Sequence, residues 1–291
     1  MARRYHAATW RPLGPQTQPP MRSHDLICVH TMVGSLTGTD AYFRDGGYGG
    51  TESHFGTGGN GERPLQWQDL AFTADANLDG NHRVISIENA DHGPGFGAWT
   101  GSDVPRFTAQ QATQLVDLIA WLCSPDAHAE CPPTWTCRQV GIPAAFVADS
   151  KPGRRGIAVH RQGVDGNFPA PPSIYAGRVP GGERWSTSPG KVCPGDKRIR
   201  QLATEIIPAV QARLEEETMP TAAEIADAVW NKELSVDGTP LRAGRVLVRS
   251  LLTAKRTRDL TKALRAAGVT VDETIVEQAL RNVFADAATP D

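Results

Sequence analysis

Two stretches of this 291-residue chain share one pattern, a short apolar run closed by histidine: Leu26-Ile27-Cys28-Val29-His30 and Gly156-Ile157-Ala158-Val159-His160. A third, Lys191-Val192-Cys193-Pro194-Gly195, places a cysteine in a proline-stiffened turn. Two imidazoles and a thiolate suit zinc, and a catalytic zinc takes three protein ligands and keeps a fourth position open for water. His30, His160 and Cys193 are therefore the candidate metal ligands, for one zinc ion per chain. The same atoms allow a second chemistry, with Cys193 as nucleophile and His160 as base. Cysteine nucleophiles often sit before a helix, where the dipole lowers the thiol pKa. Sensitivity to a chelator separates the two.

Read together, these pieces resemble the zinc-dependent N-acetylmuramoyl-L-alanine amidases, the superfamily that includes the peptidoglycan recognition proteins, and within it the phage endolysins. In that family a histidine closes the first core strand, as in "LICVH". A second lies far downstream, as in "GIAVHRQG", and the third ligand precedes Pro-Gly, as in "KVCPG", with a lysine two residues before it. A strand reading Ser-Ile-Gly-Ile-Glu in the intracellular-recycling branch is matched by Val84-Ile85-Ser86-Ile87-Glu88-Asn89. The resemblance spans roughly residues 20 to 215.

The resemblance implies hydrolysis of the amide between N-acetylmuramic acid and the L-alanine of the stem peptide. Glu88 would be the base and Lys191 the donor to the oxyanion, with His54 and Asn89 touching substrate or the atoms that support the ligands. Some phage members use a tyrosine on the preceding strand, and Ser53 stands there, which places the proton transfer on Glu88. The Trp-His pair of many members is matched by Phe72-Thr73, a departure that touches the peptide-side contacts. The partner would be bacterial peptidoglycan. The alternative within the superfamily is a peptidoglycan-binding module without catalysis, which typically lacks the cysteine ligand.

The elements that must position these residues follow from pattern. The expected fold is α/β, a central mixed sheet flanked by helices over residues 1–217, with residues 1–24 as an N-terminal arm. Strands are expected at 26–30, around Ser53-His54-Phe55, at 65–68 and at 83–89, and the glycine-rich stretch 37–61 reads as loops and short strands. Thr108-Ala109-Gln110-Gln111 is a capping box opening a helix with Leu115, Ile119, Ala120 and Leu122 at helical spacing. A second helix is expected from about 197 to 216. The Pro- and Gly-rich spacer 161–190 reads as a wall of the substrate groove, with Tyr175 and Trp185 as contacts. Such long loops are often functional.

Beyond Glu217 the composition shifts toward a small all-α domain, 218–291, opened by the capping box Thr221-Ala222-Ala223-Glu224 and ending in a helix after Thr270. Its 242–265 stretch carries eight Lys or Arg against one acid, Asp259, a pattern suited to anionic wall polymers; oligomerisation is the other reading. The net charge of −2 gives no pull toward nucleic acid. No apolar run of about 18 residues suggests membrane insertion. Met1-Ala2-Arg3-Arg4 lacks the apolar core of a secretory signal. What the endolysin resemblance implies is synthesis in the host cytoplasm and release to the wall by a separate membrane-permeabilising protein. Five cysteines is an odd count. Cys123, Cys131 and Cys137 are expected as reduced thiols, with a disulfide among them as the alternative. No second metal site is expected there, because only His128 lies nearby in sequence.

Overall fold

The computed structural model describes residues 4–59, 61–91, 103–166, 168, 177–218, 235–236 and 239–240. The chain divides into two compact units, Met1–Glu216 and Glu217–Asp291. The first is built on a six-stranded mixed sheet in the order β1-β4-β3-β5-β2-β6. Its strands are β1 (Thr9–Trp10), β2 (Leu26–Val29), β3 (Phe55–Thr57), β4 (Leu65–Gln66), β5 (Val84–Asn89) and β6 (Gly156–Val159). β3, β5, β2 and β6 run parallel to one another, and β4 lies antiparallel to β3. Every residue of β2 and β6 is buried, as expected of parallel strands covered on both faces, which read as continuous apolar runs.

Alternation along the strands sorts the side chains. Ile27, Val29, Ile85, Ile87, Ile157 and Val159 pack on one side with α2 (Ala109–Cys123) and the C-terminal helix of the unit. Leu26, Cys28, Val84 and Ala158 face the other way, toward Val147 and Trp185. α2 begins where the capping box predicts: Thr108 Oγ1 accepts from the Gln111 amide at 3.1 Å, and the Gln111 side chain accepts from the Thr108 amide at 3.2 Å. The second expected helix is α4 (Asp196–Gln201), which continues through a π-helical stretch, Leu202–Ile206, into α5 (Ile207–Thr218). Pro208 has no N–H to give the preceding turn and its ring crowds that turn's carbonyl, which accounts for the widened stretch just before it.

Three expectations are revised. The described part of the N-terminal arm, residues 4–24, packs on the domain: β1 covers the sheet edge beside β4, and Tyr5, Leu13 and Met21 are buried. The stretch read as loops contains α1 (Leu36–Gly46), capped by Ser35 on the Gly38 amide. Its buried face is Leu36, Thr39, Asp40 and Phe43, and Asp40 is satisfied by Arg11 and by the Trp67 indole at 2.9 Å. The second unit, expected to be all α, contains the hairpin β7 (Ser235–Val236) and β8 (Thr239–Pro240); Asp-Gly, the sequence between them, favours such turns. The helices expected after 221 and 270, and the basic stretch 242–265, lie outside the described residues. No helix among the described residues is long and apolar enough to cross a membrane.

Candidate metal centre

Register brings the two histidines together. Val29 pairs with Val159 across β2 and β6, so His30 and His160 leave adjacent parallel strands side by side, their ring centroids 4.3 Å apart. The strand ends just short of His30, yet the ladder continues through it, the His30 amide donating to Ile87 O at 2.9 Å. Val29 pairs with Ile87 on the opposite flank, and alternation puts Glu88 on the face of His30: its Oε1 is 3.7 Å from His30 Nδ1. These residues lie at the carboxyl ends of the parallel strands, where open α/β sheets bind their ligands.

Cys193 joins from the turn before α4. The Thr31 amide donates to its Sγ at 3.2 Å. Arg161, directly after His160 and fully buried, clamps that turn: its guanidinium donates to Val192 O and pairs with Asp196, and its amide donates to Cys193 O at 3.0 Å. The next residues set α4 in place, since Gly195 at φ 99° occupies a conformation that side chains other than glycine's rarely adopt. The imidazoles and the thiol together offer three metal-ligating atoms within 4.8 Å of one another.

The ring tautomers follow from hydrogen bonding. Asn77 Nδ2 donates to Cys28 Sγ at 3.3 Å, leaving its Oδ1 to accept from His30 Nε2 at 3.2 Å. His160 Nε2 donates to the Trp185 carbonyl at 2.9 Å. Both Nε2 atoms therefore carry the protons and both Nδ1 atoms carry lone pairs. His160 Nδ1 is buried without a hydrogen-bond partner. Burial holds both imidazoles in the neutral, ligand-competent form, His160 down to about 3 and His30 well below its usual value, with Lys191 pressing both in the same direction. Burial also pushes the Cys193 thiol up to about 11, against the pull of Lys191. A cation among these three atoms would satisfy the orphaned nitrogen and reverse the thiol's shift, so the donor set fits a zinc ion.

A cleft of about 670 Å³ opens beside these atoms, lined by residues 31–33, by Gly38, Thr39, Tyr42 and Phe43 of α1, by Glu88 and by 190–193. Burial raises the Glu88 carboxyl to about 7, partly offset by Lys191 and Arg198. Lys191 is exposed at the cleft.

None of the three expected contacts lies on the cleft, and Asn89 takes the supporting role instead. His54 is fully buried, between Ser86 and the Phe72 carbonyl. Asn89 is fully buried, donating to His30 O and Ile87 O and accepting from Thr57. The Trp185 indole is 1% exposed and packs against Gly163, where an added Cβ would collide with the ring. None of their polar groups reaches the cleft; Asn89 and Trp185 brace the histidines from behind. Tyr175 lies outside the described residues. The sequence reading missed Tyr42 and Val33, which stand 67% and 60% exposed on the cleft rim. Large apolar groups left so exposed beside the cleft are the one signal that marks them.

No protein-family model matches the chain, and no curated protein matches it in sequence. Among solved structures it is similar to the Staphylococcus aureus hydrolase AmiA in complex with its ligand, at 12% identity and a TM-score of 0.43, over 73% of this chain and 86% of that one.

Proposed function

We propose that this protein is a zinc-dependent N-acetylmuramoyl-L-alanine amidase of the endolysin kind, cutting peptidoglycan between the lactyl group of muramic acid and the first residue of the stem peptide. The observation that carries the reading is the buried, unpartnered Nδ1 of His160 among His30 and Cys193, at the foot of an open cleft. His30, His160 and Cys193 would hold the ion. Bound zinc lowers the pKa of water to about 7 and polarises a carbonyl.

The chain's own residues do the rest. Glu88, held by strand packing and raised toward neutrality, accepts the proton of the attacking water and returns it to the departing alanine amine, a role best served by a pKa near working pH. Lys191 donates to the carbonyl oxygen as charge develops there; a preorganised donor of this kind is worth about 3 kcal/mol in the transition state. Tyr42 and Val33 offer apolar surface to the substrate. The basic 242–265 stretch would attach the enzyme to anionic wall polymers.

The test is zinc analysis together with digestion of purified wall, followed by counting newly exposed N-terminal alanine. Cys193→Ala is expected to lose one zinc per chain and essentially all turnover. Digestion that survives chelation but stops on alkylation of Cys193 would transfer the chemistry to a thiol nucleophile. Zinc-loaded protein that binds wall and frees no alanine would leave a binding module.

A further inference from the structure

A second set of donors assembles at the opposite end of β2. His24 precedes that strand; His128 ends a short 3-10 turn, Pro125–His128, after α2; Cys131 follows it; and Cys137 lies in α3 (Thr136–Val140). The four offer ligand atoms within 4.8 Å of one another. His24, His128 and Cys137 are at most 1% exposed, and Cys131 is half-buried. All of the cysteines are free thiols. The sequence weighed against a metal site here because only His128 lies near these cysteines; His24, from 104 residues upstream of His128, completes the cluster.

Hydrogen bonding leaves these imidazoles in an arrangement they cannot satisfy alone. His24 Nε2 donates to Leu70 O at 2.7 Å, and His128 Nε2 donates to Leu122 O at 2.8 Å. A carbonyl only accepts, so each Nε2 bears the ring proton and each Nδ1 bears a lone pair. Those two Nδ1 atoms face one another at 2.9 Å, and Cys131 Sγ is 3.4 Å from the first of them. Two neutral acceptors at that distance repel unless a cation or an extra proton lies between. Tetrahedral zinc, with bonds of about 2.0–2.1 Å to nitrogen and 2.3 Å to sulfur, spaces its donors by about 3.3–3.8 Å. Backbone carbonyls on the far ring nitrogens are also the usual support for metal-bound histidine.

We propose that His24, His128, Cys131 and Cys137 form a second, structural zinc site. Four protein donors leave no position for substrate, so the ion acts as a staple. It fastens the long connection between α2 and β6 to the segment that enters β2. A surface cleft bordered by Met21, Leu70, Cys131 and Trp135 gives the ion a way in. This site and the one at Cys193 share no ligand, so each stands or falls separately.

Zinc content of the full chain, purified under reducing conditions, decides the matter. Two ions per chain are expected, falling to one in Cys137→Ser, to one in Cys193→Ala and to none in the double variant. The ion that survives in Cys193→Ala should support a cobalt derivative with thiolate charge-transfer absorption, which is lost with the ion when Cys131→Ser is added. Should the serine variants fail to fold, Cys131→His keeps a competent donor and is expected to retain the ion. The unmutated protein gives an independent readout: Cys131 and Cys137 should resist alkylation until a strong chelator is added. A Cys193→Ala chain free of zinc, a Cys137→Ser chain with unchanged zinc, or a Cys131–Cys137 disulfide in the reduced sample would each overturn the proposal.

Discussion

Glu52 is 1% exposed, and burial, with the Asp75 carboxylate adding to it, raises its carboxyl to about 8 from an ordinary 4.5. The native chain therefore keeps a proton that the unfolded chain releases, and stability must fall as pH rises from about 4.5 through 8. Glu52→Gln should flatten that slope and raise the thermal midpoint at pH 8, while changing little at pH 4.5. Thermal unfolding of both chains across this range checks it, and parallel curves would place the proton elsewhere. The donors of the candidate centre were readable at this scale because each closes an apolar run or sits in a Pro-Gly turn. Their supports were not. Asn77 lies in a loop without a local pattern, and the group that orients His160 is the main-chain carbonyl of Trp185, which no residue type announces. His24 escaped notice for a related reason: its partners in the second cluster lie more than 100 residues away in sequence.

Elements explain which parts of the fold sequence reveals. β2, β5, β6 and α2 are buried, regular and punctuated by a capping box, and their signals are strong. α1 hides because its buried stripe uses Thr39 and Asp40 where hydrophobic residues are expected, and Asp40 is tolerated only through Arg11 and the Trp67 indole. The π-helical stretch before Pro208 leaves the apolar periodicity readable and the local geometry unannounced. The joint between β6 and α4 depends on Arg161, whose guanidinium is wholly buried against Val192 O and Asp196. Removing one partner of a buried pair costs about 3–5 kcal/mol, so Arg161→Ala should lower the unfolding free energy, read from denaturant titration, by about that much. It should also weaken retention of the zinc ion that depends on Cys193. A variant with full stability and full zinc content would show that the turn is held by other contacts.

On the scale of the molecule, the chain separates at Glu216 into two compact units. A chain ended after Glu217 should keep its zinc content and thermal midpoint, and should sediment with purified wall less than the full chain does, most clearly at low salt, where clustered basic residues act. Equal sedimentation would remove the wall-anchoring role from the second unit. The candidate centre carries another consequence, which concerns the order of events in folding. Thr31 and Cys193, hydrogen-bonded beside the two histidines, are 162 residues apart in the chain. Contacts of such long range form only after costly loop closures have been made. The cluster is expected to close late, together with the pairing of β2 and β6 that sets its two histidines side by side.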